Sequence, residues 1–123
     1  MSLARQYRLR SPKAFTQVYR AGKRAGARCL AIKALKLPEQ AQSGCSGSRF
    51  GISISRKVSK KAVVRNRIKR QIRAALRSLL PQVQAGWQVV ISVRSAGAAC
   101  QYDEFLRELE KLLAKLEVID GRP

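Results

Sequence analysis

Val64-Arg65-Asn66-Arg67-Ile68-Lys69-Arg70-Gln71-Ile72-Arg73 reads as a helix with two unlike faces. At about 100° of rotation per residue, Val64, Ile68, Ile72, Ala75, Leu76 and Leu79 gather on one side. Arg67, Arg70, Arg73 and Arg77 gather on the other, with Asn66 among them and Arg65 and Lys69 on the flank. A helix anchored by an aliphatic stripe and paved opposite with guanidinium groups is suited to a polyanion. Phosphate fits best, because arginine offers it a planar, bidentate fork.

The pattern changes on both sides of this helix. Before it, Phe50, Ile52 and Ile54 alternate with Gly51, Ser53 and Ser55, the period of a strand. The helix runs from about residue 61 to 80 and stops at Pro81. After it, Trp87 to Val93 forms a second strand. Further out, Cys29 to Leu37 is β-like, with Leu30, Ile32 and Ala34 on one face and Lys33 on the other; Pro38 ends it. Ser11 as N-cap, Pro12 at the first helical position and Gly22 at the end bracket a short amphipathic helix, with Phe15, Val18 and Tyr19 on one face. Residues Ser95 to Gln101 form a small-residue loop. A final helix carries Phe105, Leu109, Leu112, Leu113 and Leu116 inward and has its acids early, as the helix dipole favours. The order is αββαβα, with room for one more short strand near residues 23–28. It predicts a small α+β, or split β-α-β, sandwich.

All 123 residues are expected to form one domain. Residues 1–10 are expected to be basic and flexible, 38–48 an exposed Gly/Ser-rich loop, and 117–123 a flexible tail. No apolar run reaches the roughly 20 residues of a membrane span, and the N-terminus lacks a signal-peptide stretch. Cys29, Cys45 and Cys100 are odd in number and widely spaced. They read as reduced thiols of a cytoplasmic protein, neither a disulfide framework nor a zinc site. The net charge is +19, and six of the seven acids fall after Tyr102, so residues 1–102 set 22 Lys and Arg against Glu39 alone. Repulsion on this scale calls for a counter-charge, and nucleic acid supplies one. Hydrolysis of a phosphodiester by the protein itself would need a general base or metal-holding carboxylates. The chain has no His, Glu39 sits in a polar loop, and Asp103 and Glu104 read as dipole partners. Catalytic residues are therefore assigned to none, and a metal site to none.

The segment Phe50-Gly51-Ile52-Ser53-Ile54-Ser55-Arg56-Lys57-Val58, followed by Ala62-Val63-Val64-Arg65-Asn66-Arg67-Ile68-Lys69-Arg70 and Arg73, resembles the bacterial ribonuclease P protein component. The likeness extends from about Arg8 to Leu116. It implies a fold like the second domain of ribosomal protein S5, with a left-handed β-α-β crossover against the usual rule. It also implies the protein subunit of a ribonucleoprotein that removes the 5′ leader of precursor tRNA. The RNA subunit would be the catalyst and hold Mg²⁺, and the partners would be that RNA and precursor tRNA rather than DNA or membrane, with one copy of the protein.

The resemblance also implies two binding regions. Arg65, Asn66, Arg67, Lys69, Arg70 and Arg73 would hold the catalytic RNA. Phe15 and Tyr19 would stack on leader bases, with Arg56 and Lys57 near its backbone. Relatives often place another aromatic on the first long strand; here that position is Lys33, which suggests a phosphate contact instead. Phe15 and Tyr19 could equally be core residues at i, i+4, and Asn66 could be a local turn-capping device rather than an RNA contact. Tyr7 and Trp87 read as packing residues. A ribosomal protein would share the size and charge, and charge alone leaves a DNA-binding module open.

Overall fold

The aliphatic alternation over 30–36 and 87–93 produces two strands that pair antiparallel at the centre of a four-stranded sheet. The computed structural model describes residues 8–9, 11–37, 48–84 and 86–119. In chain order the elements are α1 (Pro12–Ala21), β1 (Lys23–Gly26), β2 (Leu30–Lys36), β3 (Arg49–Ser53), α2 (Ala62–Leu79), β4 (Trp87–Val93) and α3 (Tyr102–Lys115). Short 3₁₀ turns lie at Leu80–Gln82 and Ser95–Ala99. The extra strand near 23–28 forms as β1. The sheet order is β1-β2-β4-β3, with β3 parallel to β4 and the other pairs antiparallel. A parallel pair cannot be joined by a tight turn, and α2 is the crossover between its strands.

The two faces of the sheet are covered unequally. Ile32, Val89 and Ile91 of one face pack under Ile68, Ile72 and Leu76 of α2 and Phe105, Leu109 and Leu113 of α3. Burial of such side chains contributes about 1.5–3 kcal/mol each before entropy is charged against it. Among the described residues the other face meets α1 and the Leu9 segment: Val18 of α1 packs with Leu9 and Val90 beside Ala14, Phe15 and Leu35. Ser11 caps α1, its Oγ accepting from the Ala14 N–H at 3.4 Å, with Pro12 following it in the first turn.

Four sequence expectations need correction. Cys29 and Cys100 are not reduced thiols: they form a disulfide between Cα atoms 6.7 Å apart, though 71 residues separate them in the chain. Spacing gave no hint, because the sheet alone brings the start of β2 beside the end of the 95–99 turn. Within the stretch expected to be flexible, Leu9 is buried and its N–H donates to the Phe50 carbonyl at 2.7 Å. At the end of the expected exposed loop, Ser48 is only 2% exposed, and its Oγ accepts from the Trp87 N–H at 2.9 Å. Residues 117–119 are not a flexible tail. Glu117 takes a left-handed φ of 67°, which folds the chain back so that Val118 and Ile119 are buried and Ile119 bridges Val83. Residues 1–7, 10, 38–47, 85 and 120–123, among them Tyr7, Arg10, Glu39 and Cys45, lie outside the described residues.

Candidate nucleic-acid interface

The aliphatic stripe of α2 is buried as its spacing requires, and this fixes where its cations point. Asn66, Arg67, Arg70 and Arg77 are exposed, and Arg65, Lys69 and Arg73 are half-buried. Two arginines are held by backbone carbonyls. Arg65 Nη1 donates to Ser59 O at 2.8 Å, and Arg67 Nη2 donates to Ala98 O at 3.3 Å. None of the α2 cations meets a carboxylate: among the described residues the one ion pair is Arg28–Glu104, at 3.5 Å. The first turn of α2 contains no acid, and Lys61 offers no side-chain cap. The helix therefore adds its own positive end to the surrounding cations, an arrangement that repels itself and attracts an anion.

Lys69 and Arg73 face a cleft of about 220 Å³ shared with Arg8, Leu9, Phe15, Phe50, Gly51 and Ile52. Its floor is Gly51. A Cβ there would overlap the Phe15 ring, so the missing side chain is what lets the ring lie against β3. The cleft thus sets the Phe15 ring, with Phe50 beside it, among three cations, and no acid is among its described lining residues. A larger hollow of about 440 Å³ near Lys23, Lys36 and Trp87 also includes Glu117. Its Lys36 ammonium already sits 5.6 Å from the Trp87 ring centroid.

Tyr19 and Lys33 come together, though not in that cleft. Lys33 Nζ donates to Tyr19 O at 3.0 Å and lies 5.2 Å from the Tyr19 ring centroid. Tyr19 is 43% exposed, so the core reading does not hold for it; Phe15 is half-buried over Gly51. The strand register sets Lys33 opposite Val90 and Val90 opposite Gly51, which puts both aromatic positions above one sheet face. On the same face the register continues as the row Gly26, Ala31, Ser92 and Ser53, a strip of small residues with the Arg94 guanidinium beside Gly26. Arg56 and Lys57 are exposed on the turn between β3 and α2, which buried Val58 anchors.

Sequence reading missed Arg8 and Gly51 as cleft residues. A glycine inside an otherwise regularly alternating strand was the available signal for Gly51. Two of the acids, Glu104 and Glu108, are committed to structure. Glu104 accepts from the Gln101 N–H at 3.2 Å in a capping box and pairs with Arg28. Glu108 accepts from the N–H groups of Cys29 and Leu30 at 3.0 and 3.1 Å. Cys29, Cys100 and Glu104 are the one group among the described residues with metal-ligand proximity, but its sulfurs are bonded to each other. Among the described residues, no helix is long and apolar enough to cross a membrane.

Residues 3–117 match the family model described as Ribonuclease P. The chain is 50% identical over 129 residues to the ribonuclease P protein component of Cyanothece sp., covering 97% of this chain and 98% of that one. It is 48% identical over 121 residues to the corresponding protein of Microcystis aeruginosa, covering 98% and 99%. The RNase P protein of Staphylococcus aureus shares the fold, with a TM-score of 0.79 at 23% identity over 92% of this chain and 97% of that chain.

Proposed function

Since the chain belongs to the ribonuclease P protein family, as the protein component of the ribonucleoprotein that processes the tRNA 5′ end, we propose that its surface divides between two RNAs. The outer face of α2, with Arg65, Asn66, Arg67 and Arg70, holds the phosphates of the folded catalytic RNA, whose A-form grooves deny base reading. The α1 face of the sheet receives the single-stranded leader of precursor tRNA. There Phe15 and Tyr19 offer stacking surfaces, Lys33 sits against Tyr19, and Arg56 and Lys57 stand at the strip's end near the leader backbone. Lys69 and Arg73 belong to both regions, because they sit on α2 and line the Phe15 cleft. That shared boundary is the observation that carries the reading. It lets one rigid element hold catalyst and substrate in a fixed relation, the positional kind of catalysis. The chain's lack of histidine and the structural commitment of Glu104 and Glu108 favour leaving the chemistry to RNA. Mg²⁺ would then be held by RNA, and the cytoplasm, where precursor tRNA is made, is the expected place of work.

The test adds the protein to its cognate catalytic RNA at low Mg²⁺ and follows 5′-leader removal. Rescue of cleavage is expected, and Phe15→Ala should weaken it for leader-bearing substrate. The reading would be overturned by a polypeptide that cuts without RNA, or by one that ignores the RNA at physiological ionic strength.

A further inference from the structure

Cys29 holds both ends of the turn that touches Arg67. At one end its carbonyl accepts the Arg94 N–H at 2.8 Å; at the other its sulfur is bonded to Cys100. Between these anchors the Ser95–Ala99 turn is drawn tight. The Gly97 N–H donates to Arg94 O at 2.8 Å, and a Cβ on Gly97 would collide with Val93 and lie 3.3 Å from the Cys29 carbonyl. The turn then presents the Ala98 carbonyl to Arg67 Nη2 at 3.3 Å. Cys29 is in turn fixed by the Glu108 carboxylate, which accepts its N–H at 3.0 Å. An otherwise exposed arginine is thereby held by a turn that one disulfide closes. A long side chain tethered in this way has less rotamer freedom to lose when it meets a phosphate.

We propose that the Cys29–Cys100 disulfide is a redox-sensitive positioning element for Arg67, so that reducing it weakens the hold on RNA without unfolding the chain. This rests on the reading of Arg67 as an RNA contact. The reductant is a small dithiol. One of its thiolates attacks a protein sulfur, breaking the S–S bond and releasing the other cysteine as a thiolate, which takes a proton. The dithiol's second sulfur then displaces the first cysteine, which is also protonated. Two electrons pass to the protein, and the reductant leaves as its cyclic disulfide. Both cysteines are buried, at 0% and 1% exposure. Attack therefore waits on a local opening, and conversion is slow in the folded protein.

Thiol titration of the purified, denatured chain should find one free thiol among the three cysteines; three would overturn the proposal. Affinity for the cognate catalytic RNA is then measured for the oxidised chain, the dithiothreitol-reduced chain, C29A/C100A, R67A and R67A/C29A/C100A, with circular dichroism to confirm that each is folded. Reduction and C29A/C100A should each weaken binding by about three- to tenfold and flatten its salt dependence by about one phosphate contact. In the R67A background, losing the disulfide should cost nothing further. Equal affinity of the oxidised and reduced chains would overturn the proposal. So would a loss of the same size with and without Arg67, which would show that the effect bypasses that residue. If R67A alone left affinity unchanged, the RNA-binding reading would fall first and the positioning role with it.

Discussion

Gly51 and Phe15 show how much one missing side chain can decide. The ring rests on backbone, so Gly51→Val should push it off the strand and lower stability by about 1–3 kcal/mol, read from thermal or denaturant unfolding. Phe15→Ala acts differently, removing the proposed stacking surface but leaving the strand. It should cost about 1–3 kcal/mol of affinity for leader-bearing precursor and little for mature tRNA, a contrast that direct binding of the two substrates tests. Arg67→Ala should weaken assembly with the catalytic RNA more than it lowers the thermal midpoint, since its one intramolecular bond is an exposed contact at 3.3 Å. A lowered midpoint with unchanged affinity would refute that. At this scale the sequence revealed residue types better than their neighbours. The cations of α2 could be read from a helical wheel, but nothing local told Tyr19, which meets Lys33, from Phe15, which meets Gly51. That distinction depends on which strand lies beneath each turn of α1.

At the level of elements, periodicity carried furthest. The buried faces of α2 and α3 are the aliphatic positions that a 3.6-residue repeat selects, and β4 runs over the expected residues. Long-range contacts were not legible. Glu108 looked like one more helix acid, yet its carboxylate accepts the N–H groups that open β2, from 78 and 79 positions away. Glu108→Ala would leave those part-buried donors without a partner, at about 1–3 kcal/mol each when fully desolvated. We expect a total loss of about 2 kcal/mol in denaturant unfolding, with the Cys29 end of the sheet exchanging its amides first. The Cys29–Cys100 bond escaped notice for the same reason: pairing follows topology, and cysteine spacing does not encode it.

For the whole molecule, net charge sets the behaviour. A chain of +19, with 26 basic groups against 7 acidic ones, carries repulsion that internal pairing cannot cancel. Multivalent anions should therefore stabilise the free protein. Sulfate or inorganic phosphate is expected to raise the midpoint by several degrees beyond chloride at equal ionic strength. Equal effects would mean that screening alone is at work and that no anion settles at the arginine surface. Composition made this property plain. The meeting of the α2 cations with the Phe15 cleft was hidden, because it arises only when the parallel strands draw helix and sheet face together.

That meeting is governed by a short length of chain. β3 lays the floor beneath Phe15, and after the eight residues 54–61 the same backbone becomes the helix that bears the arginines. On the proposed assignment, a transcript lying on one and a ribozyme gripping the other would be gauged against a single ruler. Its graduations are peptide bonds, and lengthening that connection would put the two molecules out of step even if every individual contact survived.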